Sequence, residues 1–220
     1  ITKMCFSAEA SFAVGGTLLI LGVATIRKVI HKKDLPIALI PIIFALQQMV
    51  EGLLWISLVE DDSSQIQFWL SQIYGIFIGI IWPLFAPFSV YYSETNCKRR
   101  KIIASIGIAG VGLATYTIVG LAKQPIVAEI INYSINYKHD VSGYQLVIVF
   151  YLLATCVPFI FSSYKQLYIA GILITIGFFV AYLTFLQTFA SVWCFFAAIS
   201  SSMIYFYFVH RIKEPLIPIS

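Results

Sequence analysis

Apolar residues fill seven long blocks of the chain, and polar residues are mostly confined to the breaks between them. The blocks run roughly from Ala8 to Ile26, Leu35 to Val59, Ile66 to Tyr91, Ile102 to Leu121, Tyr144 to Phe161, Leu167 to Leu186 and Phe189 to Val209. About 20 apolar residues in a helix cross the hydrocarbon core of a bilayer. The pattern therefore predicts an all-α fold: one bundle of seven transmembrane helices in a single domain spanning residues 1–220. Gln187 and Thr188 alone separate the last two blocks, which predicts a tight helical hairpin. Pro41, Pro83, Pro87 and Pro158 fall inside blocks. Each removes a backbone donor and is expected to kink its helix.

The longest break is KQPIVAEIINYSINYKHDVSGY. Apolar and polar residues alternate around INYSINY, which predicts a short hairpin or an amphipathic cap on the outer face. Asn132-Tyr133-Ser134 in the same stretch is a weak match to a glycosylation sequon.

Composition supports the spans. Hydrophobic residues make up 60% of the chain and charged residues 11%, whereas a soluble domain carries about a quarter charged. The lipid bilayer is thus the expected surrounding, and a water-soluble enzyme or nucleic-acid binder is excluded. The net charge of +4 sits in the breaks and bears on orientation instead. Arg27, Lys28, Lys32 and Lys33 occupy the first break, Lys98 to Lys101 the third, Lys165 the fifth, and Arg211 and Lys213 the tail. The second break holds Glu60, Asp61 and Asp62 and no base. By the positive-inside rule the N-terminus lies outside and the C-terminus in the cytoplasm.

Glu51 is the main departure from the apolar pattern. It lies in the second block, in LPIALIPIIFALQQMVEGLLWISLV. An ionised acid at the centre of a span costs about 2.5 kcal/mol or more on insertion scales. Gln48, Glu51 and Trp55 are spaced i, i+3 and i+7, and Gln47 is four residues before the acid, so all four share one helix face. Given the predicted orientation, Gln72, Tyr74 and Ser71 of the third span reach a similar depth. Tyr182, Thr184 and Gln187 of the sixth and Ser191, Trp193 and Cys194 of the seventh do the same. Cys5, Ser7, Glu9 and Ser11 add to them from the N-terminal segment. Polar groups from several helices thus converge in the outer half of the bundle, the pattern of a pocket open to the outside.

The expected function is the binding or transport of a small ligand or ion, at a ligand-binding site made of Glu51, Gln47, Gln48, Trp55, Gln72, Trp193, Cys194 and Cys5. The acid is the charged or proton-linked group, the glutamines orient a small molecule or cation, and the tryptophans wall the pocket. A second reading is a membrane-embedded enzyme with Glu51 as acid/base and Cys5 or Cys194 as nucleophile. A third is a structural subunit with a membrane-protein partner, in which the polar groups are only interhelical glue. No metal site is expected: Cys5, Glu9, Glu51, Cys194 and His139 show no paired ligand spacing, and His31 and His210 lie on the opposite side. No cofactor, phosphate-binding or serine-hydrolase motif occurs, and the seventh span has no lysine for a retinal Schiff base.

The opening MCFSAEASF, the second-span LQQMVEGLLW and the late SVWCFFAA together resemble a family of uncharacterised bacterial integral membrane proteins. RKVIHKKDLP and IWPLFAPFSV fit the same pattern. The resemblance covers nearly the whole chain. It implies location in a bacterial cytoplasmic membrane and groups Cys5, Gln48, Glu51, Trp55, Trp193 and Cys194 as motif positions; it implies no activity.

Overall fold

The computed structural model describes residues 7–60, 63–131, 133–138 and 144–211. Cys5, Asp61, Asp62, Asn132, His139, Asp140 and Lys213, which figure in the sequence reading, lie outside these ranges. The fold is all-α apart from one β-hairpin. Helix α1 covers Ala8–Ile26, and Ser7 caps it by accepting from the Ala10 N–H. A short 3₁₀ turn, Lys32–Asp34, leads into α2, Leu35–Val59. Helices α3 (Ser64–Ile76) and α4 (Trp82–Ser93) are joined without a break by a π-helical segment, Phe77–Ile81. That segment ends two residues before Pro83, whose ring has no N–H and crowds the carbonyl four residues earlier, that of Gly79 within the segment. Helix α5 is Cys97–Lys123, with Asn96 as its cap.

The hairpin pairs β1, Val127–Ile131, with β2, Ser134–Lys138, antiparallel, with Ala128 opposite Tyr137. Tyr133 adopts a positive φ of 61° at its tip, the sense that a two-residue hairpin turn needs. Of the two forms expected for this stretch, the chain takes the hairpin.

The C-terminal part comprises α6 (Tyr144–Thr155), α7 (Val157–Ile160), α8 (Lys165–Thr184), a 3₁₀ turn at Leu186–Thr188, α9 (Phe189–Ser200) and α10 (Met203–Arg211).

Among the described residues, six helical stretches are long and apolar enough to cross a membrane: Ala8–Ile26, Lys32–Val59, Ser64–Ser93, Cys97–Lys123, Lys165–Thr184 and Leu186–His210. The fifth predicted span differs. It is a shorter apolar stretch, Leu146–Ile160, divided at Cys156 between α6 and α7. Pro158 explains the division, because it has no N–H to continue the helical ladder. The predicted helical hairpin forms, with α8 packed on α9 across the 3₁₀ turn.

Close helix contacts rest on small residues. A side chain at Gly22 would run into Ile42, and one at Gly52 into the Phe12 ring, so α1 lies tight along α2. A Cβ at Gly110 would collide with the Pro83 carbonyl oxygen, which sets the approach of α5 to α4. Small residues at such crossings let apolar helices gain van der Waals contact where lipid removes the hydrophobic driving force.

The two ends of the bundle differ. At one end, Glu94 accepts from the backbone N–H of Ser163 and from its hydroxyl, both at 2.8 Å. Arg99 donates to the carbonyls of Phe161 and Ser162 there. The opposite end carries the hairpin. It rests on α2 through Leu54, Trp55 and Ile135, which form a separate small apolar cluster. Gln72 of α3 holds its root: the side-chain amide donates to the Ile126 carbonyl at 2.8 Å and accepts from the Ile126 N–H at 3.1 Å.

Candidate functional site

Beneath the hairpin, α2, α3 and α9 bring buried polar side chains together. Glu51 is 1% exposed and lies about 12 Å from the C-terminal end of α2 at 1.5 Å per residue. Its two oxygens have separate partners. The Ser191 hydroxyl, from α9, donates to Oε1 at 2.5 Å, and the Gln48 amide, one turn back on α2, donates to Oε2 at 3.1 Å. No base pairs with it among the described residues, where Lys138 and Glu129 form the one ion pair.

Around this acid the hydrogen-bonding inventory is incomplete. Gln47 is fully buried; its carbonyl oxygen accepts from the Trp82 indole at 2.6 Å, but its Nε2 makes no hydrogen bond of full geometry among the described residues. Gln48 Oε1 is in the same condition, as are the hydroxyls of Tyr74 and Tyr137. The two tyrosine rings stack at 4.3 Å and 3°. Tyr74 neighbours Glu51 and Cys194 electrostatically, and Tyr137 neighbours the same pair. These contacts, with those of Tyr137 to Tyr74 and of Gln47 to Cys194, fall short of full hydrogen-bond geometry and are weak ones. Burial first, and then the nearby Glu51, hold the Tyr137 hydroxyl protonated, well above the ordinary phenol range.

A cavity of about 190 Å³ adjoins this cluster. It lies between the π-helical segment, α5, α6 and α9, and the hairpin closes one end. Tyr137 and Cys194 form part of its wall, together with the aromatic side chains of Tyr151, Phe178, Phe189 and Trp193. A second space of about 30 Å³, the size of one water, lies on the far side of Tyr151, Trp193 and Cys194, which line both. The Trp193 indole is fixed by donating to the Ile174 carbonyl at 3.1 Å.

Most of the predicted site residues assemble here. Glu51, Gln47, Gln48 and Cys194 belong to the cluster, and Trp193 walls the cavity. Trp55 is buried nearby but packs against the hairpin. Gln72 uses both polar atoms of its amide on Ile126 and so holds the hairpin in place. Of the N-terminal group, Ser11 is buried and Glu9 is exposed. Tyr137 was not foreseen: nothing in a polar loop marks one tyrosine as inward-facing. Trp82 was also missed, since an indole in an apolar run reads as packing. Among the described residues no three His, Cys, Asp or Glu side chains gather to hold a metal ion.

Long apolar helices with polar groups turned inward define a helical membrane protein. Within that class, the chain belongs to the family of unknown function DUF6629, which it matches over residues 4–217. Comparison with curated proteins and with solved structures gave no match.

Proposed function

We propose that this protein binds, and in binding transports, a small molecule or cation in the cavity that adjoins the Glu51 cluster at Tyr137 and Cys194. The observation that carries this reading is a group of four buried polar atoms that have no hydrogen bond of full geometry among the described residues: Gln47 Nε2, Gln48 Oε1, Tyr74 Oη and Tyr137 Oη. Leaving one such atom unmatched costs about 1–3 kcal/mol, so four around one acid favour an occupant that completes them. Glue between helices would use its hydrogen-bonding groups on other helices. Here α2, α3 and the hairpin bring these groups into one cluster whose mutual contacts are weak, and Tyr137 carries it to the cavity wall.

The chamber lies toward the hairpin end. The basic breaks meet at the other end, where Glu94 and Arg99 join the third and fifth. By the positive-inside rule that end is cytoplasmic. The chain then crosses a bacterial cytoplasmic membrane seven times, α6 with α7 forming the short crossing, and the cavity lies in the outer half of the bundle, beneath the hairpin.

Native mass spectrometry of the detergent-purified protein beside Glu51→Gln tests the proposal. A copurified small molecule or cation present on the wild type and absent from the variant is the expected result. An empty wild type, with the variant equally stable, overturns it.

A further inference from the structure

The shape of the site specifies its occupant more closely than its polar groups do. The cavity is mostly apolar and strongly aromatic; Thr117 and Tyr151 add hydroxyls to its wall, and Tyr137 with Cys194 joins it to the buried polar cluster around Glu51. Its volume, about 190 Å³, compares with the roughly 150 Å³ of an apolar cavity that holds one benzene. An inorganic cation or a sugar fits such a wall poorly, because most of its hydration would go unreplaced. A molecule with an apolar body at one end and a hydrogen-bonding group at the other matches both parts.

The way in is also apolar. On the outer surface a groove of about 370 Å³ runs between α5 and α6, past Gly112, Tyr116, Leu146 and Phe150. Leu113 and Val147 line this groove and the inner cavity alike. The outward face of α5 carries the exposed Ile108, Val111 and Ile118, a surface suited to lipid.

Resting on the reading that the chamber binds a ligand, we infer that its ligand is a small amphiphile taken from the bilayer. Its body, of about benzene size, enters between α5 and α6 past Leu113 and Val147. Its hydroxyl or amine ends against Tyr137, with Tyr74 and Glu51 behind.

The full-length protein in nanodiscs, titrated with para-fluorobenzyl alcohol and para-fluorotoluene and followed by fluorine NMR, tests this. The alcohol is expected to bind saturably and roughly tenfold tighter than the toluene, the worth of one buried hydrogen bond. Tyr137→Phe is expected to bring the alcohol to the toluene's level. Ala190→Phe fills the cavity from α9 and should abolish binding of both. Val147→Trp fills it from α6, so the test survives if one variant misfolds. Equal affinity for the two probes, or binding unchanged in a folded cavity-filled variant, overturns the inference. If neither probe binds while mass spectrometry still finds a Glu51-dependent ligand, the amphiphile is wrong and the chamber stands.

Discussion

Ser191 and Glu51, 140 positions apart, meet side chain to side chain in the buried chamber, with the hydroxyl donating to the carboxyl. This bond ties α9 to α2. In Ser191→Ala, Glu51 keeps Gln48 and loses its partner on the other helix. Within membranes such side-chain bonds are worth about 0.5–2 kcal/mol, less than the usual figure for a buried charged group, because the unpacked helices also find partners. Ser191→Ala should therefore lower stability by about that amount in reversible detergent unfolding. A loss well above that range would show the carboxyl depending on Ser191 alone.

Gln72 holds the hairpin root with two hydrogen bonds to Ile126. Gln72→Ala should loosen residues 127–138 while the helices stay intact. Hydrogen exchange should show amide protection in the hairpin falling roughly tenfold or more. Protection unchanged there would mean that Trp55 and Ile135 seat the hairpin by packing alone.

The spans could be read in the sequence because lipid imposes one requirement on every block, and runs such as Ala8–Ile26 meet it independently of their neighbours. The hairpin was partly legible: alternation around INYSINY showed extended chain but not what it would cover. Glu51 announced itself by its charge, and Gln47 and Gln48 by helical spacing from it. Tyr137 could not be found that way, since its role depends on the hairpin folding back onto Tyr74. The break at Cys156 was visible only as Pro158, and how far a proline interrupts a helix depends on the packing around it. Gln72 shows the limit of depth arguments, because equal depth does not say which neighbour a side chain reaches.

Glu94 is buried, and it accepts from the Asn96 N–H as well as from both groups of Ser163. It joins the α4–α5 connection to the α7–α8 connection. Glu94→Ala should destabilise by about 1–3 kcal/mol, since water can reach the exposed Ser163 once the acid is gone. Glu94→Gln keeps an acceptor and should fall between. Thermal unfolding of the three proteins in one detergent checks the order, and equal midpoints would remove Glu94 from the account of how these connections are held.

Glu129 in β1 is held below its ordinary value of 4.5, mainly by its hydrogen bond from Lys138; desolvation opposes this, and the hydrogen bond from Asn136 and the Lys138 charge add smaller lowering effects. A lowered folded value means that the contribution to stability is present above the ordinary carboxylate range. It is lost as pH falls through the lowered value. Amide protection in the hairpin should thus decline only in acid below about pH 4.5, and Lys138→Ala should remove most of that dependence. A decline centred near neutral pH would point to a different group.

Orientation can be tested with a thiol already present. Cys97 is free and exposed at the start of α5, beside Lys98, Arg99, Arg100 and Lys101, while Cys156 and Cys194 are buried and do not compete. The proposed orientation places that loop on the cytoplasmic side, because translocating four adjacent bases against the membrane potential is unfavourable. In a Cys5→Ser background, a membrane-impermeant maleimide should label Cys97 in inverted membrane vesicles and leave it unlabelled in intact cells. The opposite pattern would turn the molecule over. The chamber would then face the cytoplasm, and any ligand reaching it through water would come from inside the cell. Entry between α5 and α6 would be unaffected, since that route runs through the bilayer and has no preferred side.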